Sequence, residues 1–301
     1  MDLYTQIQQT RQLKALIATR SIDVVHQPIP VSPKLPSFTY GFGVPVIIGP
    51  MNGGMTFPKA FKSMASPLES FTAGLARSCA GLANRLIPGK SKAAVLLVAN
   101  ERTREALPKS LRHNSRLLVE NGVDLDVWNT PDADLQPTQE QSFLFMGRLV
   151  DLKCVDILIN AFSKLTQEYP NARLHILGDG PERASLEQLT ADFGLQEQVE
   201  FHGFLPQSEC STHLARSIAL ALPSVHECGG AVVLEAMALS KPVIATDWGG
   251  PSDYVTPESG ILIKPESKAA MIDGFSDVMR RLIESDTLRN DMGAQGRKLI
   301  E

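Results

Sequence analysis

The sequence predicts an α/β fold in which parallel sheets are covered by helices on both faces. From residue 143 onward, short apolar segments alternate with segments that have the apolar period of amphipathic helices. The apolar segments are continuous, which is typical of strands buried on both faces of a parallel sheet. Four segments of the same kind before residue 130 predict a second sheet.

Each element follows from its local pattern. The first region predicts an N-terminal helix at 3–20 and strands at 21–27, 44–50, 93–100 and 115–123. The second region predicts strands at 143–147, 172–178, 199–204, 218–224 and 242–246. The predicted helices of that region lie at 155–169, 182–194, 208–217 and 231–239.

Length and composition are those of a two-domain globular protein. At 301 residues, the chain exceeds the roughly 100–200 residues typical of one domain. Hydrophobic residues make up 43% and charged residues 21%, which argues against a disordered or fibrous protein. The net charge of −4 argues against nucleic acid as a partner.

The stretch NTPDADLQPTQEQS, at 129–142, marks the domain boundary. It is polar, acidic and without periodicity, and it contains two prolines. We expect a partial α/β domain at 1–130, a linker at 131–142 and a second α/β domain at 143–301.

Cysteine usage and hydropathy bear on the compartment. The four cysteines form no CxxC pair, so neither a zinc site nor a disulfide framework is indicated. No apolar run reaches the roughly 18 residues of a membrane span, and the polar first residues lack the apolar core of a signal peptide. We therefore expect a cytoplasmic protein.

Basic and glycine residues follow the first predicted strand of the second domain. In an open parallel sheet, ligands bind beyond the carboxyl ends of the strands. Gly147 and Arg148 lie at such an end, and Lys153 opens the next helix. The bidentate fork of arginine and the point charge of lysine together suit a diphosphate. The alternative is a surface salt bridge and a solvated lysine.

A second turn, ILGDGPE at 176–182, follows the next strand. Gly178 and Gly180 would allow a ligand to approach the backbone closely, and Pro181 suits a first helical position. The same residues also make an ordinary turn, and this alternative stays open.

The segment HECGGAVVLEAMA, at 226–238, carries the most informative pattern. Gly229 and Gly230 directly precede a predicted helix, so the amide groups of residues 230–233 can point at an anion. A phosphate would fit there.

Two glutamates flank these glycines. Glu235 has small neighbours, and a carboxylate in such a niche can accept two hydroxyls from a vicinal diol such as ribose. Glu227 precedes the glycines and would face what lies beyond the phosphates, which could be a sugar. In the alternative, Glu235 pairs with a lysine such as Lys241, and Glu227 is solvated.

Four motifs of the second domain occur in a recognisable order: FMGRLVDLKCVDILINAF, LHILGDGPE, VEFHGF and PSVHECGGAVVLEAMALSKPVIAT. Together they resemble the donor domain of glycosyltransferase family 4, retaining enzymes of the GT-B fold. VENGVDLDVW, at 119–128, resembles that family's interdomain strand. The likeness is specific over 119–265 and implies two Rossmann-like domains facing a cleft, with an incomplete acceptor-binding domain at the N-terminus.

The resemblance also implies roles for particular residues. Arg148 and Lys153 would hold the donor diphosphate, Glu235 the ribose and Glu227 the donor sugar, while Arg148, Lys153 and Glu227 are the catalytic candidates. The implied donor site comprises Gly147, Arg148, Lys153, Gly178, Gly180, Gly203, Phe204, Glu227, Gly229, Gly230, Ala231, Val232 and Glu235. Gly203 and Phe204 would line the base. The resemblance implies no metal and no cofactor, because the two cations and the helix N-terminus would neutralise the leaving nucleotide diphosphate.

The chain also departs from the family pattern. Cys154 and Ser240 stand where the family usually has glycine, and Cys228 replaces a bulky residue. Family members usually open with a strand and a glycine-rich loop and close with a further helix, so we expect this chain to be shortened at both ends. His26 lies at a strand end, and a satisfied histidine at a turn is favoured over a contact with the acceptor.

The segment 57–92 carries six basic residues against one acidic residue. A basic amphipathic patch of this kind could contact anionic lipid at the inner face of a membrane. A pair of core-packed helices with solvated lysines is the favoured alternative.

The sequence therefore predicts a retaining, metal-independent glycosyltransferase. It would move a sugar from a nucleotide-diphosphate sugar to a glycan or lipid-linked acceptor in cell-surface polysaccharide or glycolipid synthesis. Two alternatives stay open: a nucleotide-sugar-binding module without turnover, and a GT-B epimerase acting on the nucleotide sugar itself. The base, the sugar, the acceptor and the oligomeric state do not follow from the sequence.

Overall fold

A computed structural model describes residues 3–28, 32–65, 81–129 and 141–301. By its internal contacts the chain divides into two compact units. The first unit comprises Met1–Thr56 and Ala65–Glu120, and the second comprises Phe57–Met64 and Asn121–Glu301. Most of the predicted linker at 131–142 lies outside the described residues.

The first unit contains a four-stranded parallel sheet. Its strands are β1 (Val25–Gln27), β2 (Val46–Met51), β3 (Val95–Val98) and β4 (Ser115–Leu117), in the order β1-β2-β3-β4. The α-helices described are Leu3–Thr19, residues 81–86, Gly89–Lys92 and Glu101–Ala106, and Lys109–Asn114 is a 3₁₀ helix. Apolar side chains of the strands, among them Ile48, Leu96 and Val98, form the core.

The second unit contains a six-stranded parallel sheet. Its strands are β5 (Ser142–Met146), β6 (Arg173–Leu177), β7 (Val199–Gly203), β8 (Ala219–Leu222), β9 (Val243–Thr246) and β10 (Gly260–Ile263). Its α-helices are Val155–Leu165, Arg183–Asp192, Gln207–Arg216, Ala231–Ala238, Pro251–Tyr254, Lys268–Glu284 and Asp286–Ile300. Lys59–Met64 and Asp151–Lys153 are 3₁₀ helices. Every residue of β5, β8 and β9 is buried, as the continuous apolar segments predict.

The strand order of this sheet fixes where a ligand can bind. The order is β10-β9-β8-β5-β6-β7, so the chain builds outward from β5 on one side and from β8 on the other. Between β5 and β8 the loops at the carboxyl ends diverge, and ligands of open parallel sheets bind at such a switch point. The loops after these two strands carry Arg148 and Glu227 respectively.

The predicted interdomain strand at 119–128 is not a strand. Strand β4 ends at Leu117, residues 118–124 have no regular structure, and residues 125–127 form a turn. The Asp124 carboxylate accepts a hydrogen bond from the Asp126 amide (3.0 Å), and the Trp128 amide donates to the Asp124 carbonyl (2.8 Å). This local bonding competes with strand pairing, as is usual for aspartate in turns.

Lys90, in the basic segment 57–92, is buried, whereas the sequence predicts either a lipid-contacting patch or solvated lysines there. Lys90 is only 1% exposed, and its ammonium donates to the carbonyls of Ser32 and Pro33 (2.8 and 3.0 Å). Burial lowers the pKa of Lys90 from 10.5 to about 7. Lys90 is therefore neither a solvated lysine nor a contact for lipid. Residues 66–80 of this segment lie outside the described residues.

Two further features concern the surface and the membrane. Within the described ranges, no helix combines the length and the apolar character that a membrane span requires.

His26, which is exposed, forms a 2.6 Å hydrogen bond through Nε2 with the Gly49 carbonyl. The expectation that His26 has a hydrogen-bond partner inside the chain is thus confirmed.

The two positions where the family usually has glycine both have left-handed backbone. Cys154 has φ = 50° and Ser240 has φ = 54°, and among the described residues they are the non-glycine residues with positive φ. Ser240 closes the helix Ala231–Ala238: its amide donates to the Met237 carbonyl, and the Lys241 amide donates to the Ala236 carbonyl. This is the Schellman arrangement, in which glycine is preferred after the helix end.

We predict that Ser240→Gly stabilises the protein. The left-handed conformation costs a residue with Cβ about 1 kcal/mol, part of which is offset by the greater freedom of glycine in the unfolded chain. Ser240 is exposed, so its side chain contributes little packing. Urea unfolding should show a gain of roughly 0.5 kcal/mol.

The matched control is Ser276→Gly, in the interior of the helix Lys268–Glu284. Because glycine has a lower helix propensity than serine, this variant should lose roughly 0.5 kcal/mol. A loss of similar size in both variants would contradict the prediction.

Candidate functional site

The loop after β5 is tied to the turn after β6 by backbone hydrogen bonds. The Gly147 amide donates to the Leu177 carbonyl, and the Leu149 amide donates to the Asp179 carbonyl, both at 2.9 Å. Arg148 lies between these anchors with its side chain exposed. No hydrogen bond or ion pair joins its guanidinium to another residue within the described ranges. The loop thus holds a cation in place without neutralising it.

Gly178 and Gly180 are required by the packing of these two loops. A Cβ atom at Gly178 would come within 1.9 Å of the Gly147 carbonyl oxygen. A Cβ atom at Gly180 would come within 2.2 Å of the Leu149 carbonyl oxygen. Loop packing therefore accounts for both glycines without a ligand, and their predicted contact with a donor stays a prediction.

The helix Ala231–Ala238 begins at a glycine in the left-handed conformation. Gly230 has φ = 66°, and no side chain within the described residues caps the helix there. The first amides of an α-helix have no partner inside the helix, and the helix dipole adds partial positive charge. The amides of Ala231 and Val232 are therefore suited to an anion, and the predicted phosphate there stays a prediction.

Glu227 and Lys153 form an ion pair that joins the loops after β5 and β8. The Lys153 ammonium donates to Glu227 Oε2, and the two side chains are only 19% and 15% exposed. The Gly230 amide donates to Glu227 Oε1 at 3.3 Å, and the Gly250 amide donates to the Glu227 carbonyl at 2.7 Å. Glu227 is therefore paired rather than solvated, and it lies beside the start of the helix.

Glu235 is partly buried and has no countercharge. Burial raises the pKa of Glu235 from 4.5 to about 7. Neither Lys241 nor any other described cation forms an ion pair with it. Lys241 lies beyond the helix end, six residues on, which is not a spacing that brings side chains to one helix face. Within the described residues the Glu235 carboxylate has no hydrogen-bond donor, and its contact with a ribose stays a prediction.

Gly203 and Phe204 end strand β7 in contrasting environments. Gly203 is buried with φ = 71°, whereas Phe204 is 87% exposed. A single exposed apolar side chain is common on protein surfaces, so the contact of Phe204 with a base stays a prediction. Gly203 also accepts a hydrogen bond from the Gly178 amide (2.7 Å), so β7 is connected to the glycine turn after β6.

The structure adds contacts that sequence reasoning missed. The Asn121 amide donates to the Tyr254 hydroxyl at 2.9 Å. A Cβ atom at Gly229 would lie 2.5 Å from Asn121 Nδ2, so the side chain of Asn121 packs directly on the glycine loop. The His226 ring lies 4.8 Å from the Phe57 ring. Of these, only the Asn121-Gly122 pair gave a signal in the sequence, as a turn.

The chain is similar to several known proteins. Residues 126–299 match the family described as Glycosyl transferases group 1. The chain is 36% identical over 174 residues to the lipopolysaccharide core biosynthesis glycosyltransferase LpsD of Rhizobium meliloti. The matched region covers 56% of this chain and 47% of that protein. It is 32% identical over 162 residues to the GDP-mannose-dependent monoacylated alpha-(1-6)-phosphatidylinositol monomannoside mannosyltransferase of Corynebacterium glutamicum. That match covers 52% of this chain and 41% of that protein.

Solved structures show the same architecture. The crystal structure of Anabaena Alr3699/HepE in complex with UDP and glucose has a TM-score of 0.66 at 19% identity and covers 97% of this chain and 77% of that chain. The predicted α/β fold with parallel sheets is confirmed, and it matches GT-B glycosyltransferase structures. The chain spans about half the length of the curated relatives it matches.

We predict that Glu235 makes the stability of the chain depend on pH. Between about pH 4.5 and pH 7, the folded chain retains a proton on Glu235 that the unfolded chain has released. The free energy of unfolding therefore falls as pH rises through this window, by at most about 1.4 kcal/mol per pH unit. Glu235→Gln removes this contribution.

Urea unfolding of the parent and of Glu235→Gln at about pH 5 and about pH 7.5 measures the effect. The stability of the parent relative to the variant should decrease at the higher pH. Glu258→Gln, at an exposed position, is the control and should show no such change. A difference between parent and Glu235→Gln that is constant with pH would contradict the prediction.

Proposed function

The chain belongs to the Glycosyl transferases group 1 family, and on this premise we propose that it acts as a retaining glycosyltransferase of family 4. It moves a sugar from a nucleotide-diphosphate sugar to a glycan or lipid-linked acceptor. One observation carries this proposal: the Lys153–Glu227 ion pair, the start of the helix at Ala231 and the unpaired Arg148 belong to the loops at the switch point of the sheet.

The leaving nucleotide diphosphate is neutralised by three groups of the chain. Arg148 offers an exposed guanidinium that has no partner within the described residues. Lys153 adds an ammonium, and the helix beginning at Ala231 adds amide donors and its dipole. These groups stabilise the charge that develops on the diphosphate in the transition state, which is why we propose that the reaction needs no metal ion.

Glu227 connects the diphosphate to the donor sugar. In the free chain Glu227 pairs with Lys153, so the ammonium is already positioned before the donor arrives. When the diphosphate binds, Lys153 contacts both anions, and Glu227 retains acceptor capacity for a sugar hydroxyl. We propose a front-face reaction: the acceptor oxygen attacks C1 from the side the diphosphate leaves, and a leaving phosphate oxygen takes the acceptor proton.

Glu235 recognises the ribose of the donor. Its carboxylate has no internal cation within the described residues and carries a raised pKa, so two ribose hydroxyls would provide the donors it lacks. The exposed ring of Phe204 and the backbone at Gly203 supply a surface for the base. UDP and GDP both occur among the names of similar proteins, so the base is left to experiment.

The acceptor is proposed from the relatives. The similar proteins include a lipopolysaccharide core biosynthesis glycosyltransferase and a phosphatidylinositol monomannoside mannosyltransferase. A glycan or lipid-linked acceptor at the cytoplasmic face of a membrane is consistent with these names. Contact with the membrane through 57–92 stays a prediction, with Lys90 excluded from the contact surface.

We predict that one of UDP, GDP and ADP stabilises the chain against thermal unfolding. Binding to the folded state alone adds about 2.7 kcal/mol at a hundred times the dissociation constant, which moves the melting temperature by several degrees. Arg148→Ala and Glu235→Ala should each weaken the nucleotide about 10- to 100-fold, because each removes hydrogen bonds to a charged group.

Two surface variants serve as matched controls. Arg281→Ala and Glu258→Ala change exposed residues of the same types away from the switch point and should keep the parent shift. Transfer of radiolabelled sugar to an added acceptor distinguishes the enzyme from a binding module, and isomerised sugar with no transfer would indicate an epimerase. If no nucleotide shifts the melting temperature, the proposed donor site is wrong.

We predict a pH dependence of donor binding. The ionised form of Glu235 accepts the ribose hydroxyls, so below about pH 7 the donor must first displace a proton. The affinity for UDP-glucose, or for the nucleotide sugar of the base identified above, should rise up to about tenfold per pH unit towards pH 7 and then level off. Calorimetric titration measures it, and Glu235→Gln should flatten the profile. The same slope in that variant would assign the titration to another group.

A further inference from the structure

Three histidines from separate elements meet in the second unit. His175 lies in β6, His202 in β7 and His213 in the helix Gln207–Arg216. One ring nitrogen from each lies within 4.8 Å of the others. The proposed transfer reaction uses none of these side chains.

The sheet register explains how they come together. His175 in β6 is paired with Glu200 in β7, so the two side chains share a face of the sheet. Residues two apart on a strand also share a face, which places His202 beside Glu200. The helix Gln207–Arg216 follows β7 directly and brings His213 over the same face, with its ring centroid 4.5 Å from that of His202.

The distances among His175, His202 and Glu200 are close to those of a tetrahedral zinc site. His175 Nδ1 lies 3.0 Å from His202 Nε2, and Glu200 Oε2 lies 3.6 Å from each of these nitrogens. Ligand nitrogens bound to zinc at 2.0–2.1 Å with tetrahedral angles lie about 3.3 Å apart. The His213 nitrogen lies within 4.8 Å of the other two, so its ring must move closer for the four groups to hold one ion.

Within the described residues, the hydrogen bonding of His213 is incomplete. His175 and His202 can satisfy each other through one proton. The His213 ring, by contrast, has no hydrogen-bond partner within the described part of the chain, although it is half-buried. Half-buried imidazole nitrogens normally find a partner, and neutral imidazole is the commonest metal ligand.

We propose that His175, His202, His213 and Glu200 bind one zinc ion. Four protein ligands make a closed site, which is characteristic of structural rather than catalytic zinc. The ion would fix β6, β7 and the following helix to one another, and with them the segment 204–206 that connects β7 to that helix. The cysteines predict no zinc site, and the three histidines, separated by 27 and 11 residues, match no zinc spacing either.

The test is a zinc titration of the full chain after treatment with a chelator. The chain should bind one equivalent of Zn²⁺, measured by elemental analysis after gel filtration and by competition with a zinc indicator. Cobalt should bind in the same place and give the visible spectrum of a tetrahedral ion. His202→Gln and His213→Asn should each lose at least about 10- to 100-fold in zinc affinity, the range seen even for outer-shell partners.

The control is His113→Asn, which removes an exposed histidine of the first unit and should still bind one equivalent. Glu200→Gln changes a half-exposed side chain and should fold even if a buried histidine variant does not, and it should weaken zinc about tenfold. Failure of the parent to bind zinc, or unchanged affinity in both His213→Asn and Glu200→Gln, would overturn the proposal. Zinc stoichiometry is measured without nucleotide, so its result is independent of the proposed transfer reaction.

Discussion

Lys153 and Glu227 form an ion pair between two loops that leave neighbouring strands in opposite directions. The strands are β5 and β8, the point where the sheet order reverses. Two mostly buried charges cost free energy in desolvation, and only good pairing with further hydrogen bonds offsets that cost. Glu227 obtains such a bond from the Gly230 amide, which also fixes the start of the next helix. The pair therefore sets the relative position of the ammonium and the helix N-terminus, on which the proposed diphosphate site depends.

Backbone contacts also hold the loop after β5, which carries Arg148, against the turn after β6. The carbonyls of Gly147 and Leu149 lie so close to Gly178 and Gly180 that no Cβ atom could be accommodated. The loop that presents Arg148 is consequently rigid at both ends, although its guanidinium is exposed. A rigid loop with an unpaired cation loses little conformational entropy on binding an anion, which favours affinity.

Glu235 and His213 share one physical property. Each is a polar side chain removed from much of the solvent and without an internal partner within the described residues. Folding leaves such groups unsatisfied only at a cost, so they mark places where a ligand completes the structure. At Glu235 the missing partners are hydrogen-bond donors, and at the histidine cluster the missing partner is a cation. We therefore propose two different kinds of ligand for this unit: hydroxyl donors at Glu235 and a cation at the histidine cluster.

The sequence by itself determined most strands and helices of the second unit as far as β9, and the identity of the loops that bear charge; β10 and the helices Lys268–Glu284 and Asp286–Ile300 were not among the predicted elements. Buried strands and amphipathic helices have local apolar periods, and the carboxyl ends of parallel strands share one edge, so Arg148, Lys153 and Glu227 could be placed without coordinates. The left-handed backbone at Cys154 and Ser240 lies at the two positions where the sequence departs from the glycine of its family.

Only the tertiary structure decided which of these side chains are paired. The bond between Lys153 and Glu227 spans 74 residues, and the histidine cluster depends on the register of β6 and β7 and on a helix that covers them. The burial of Lys90 depends on carbonyls of Ser32 and Pro33, nearly 60 residues earlier in the chain. Such contacts leave no local period, because long-range packing, rather than the preference of any segment, brings the groups together.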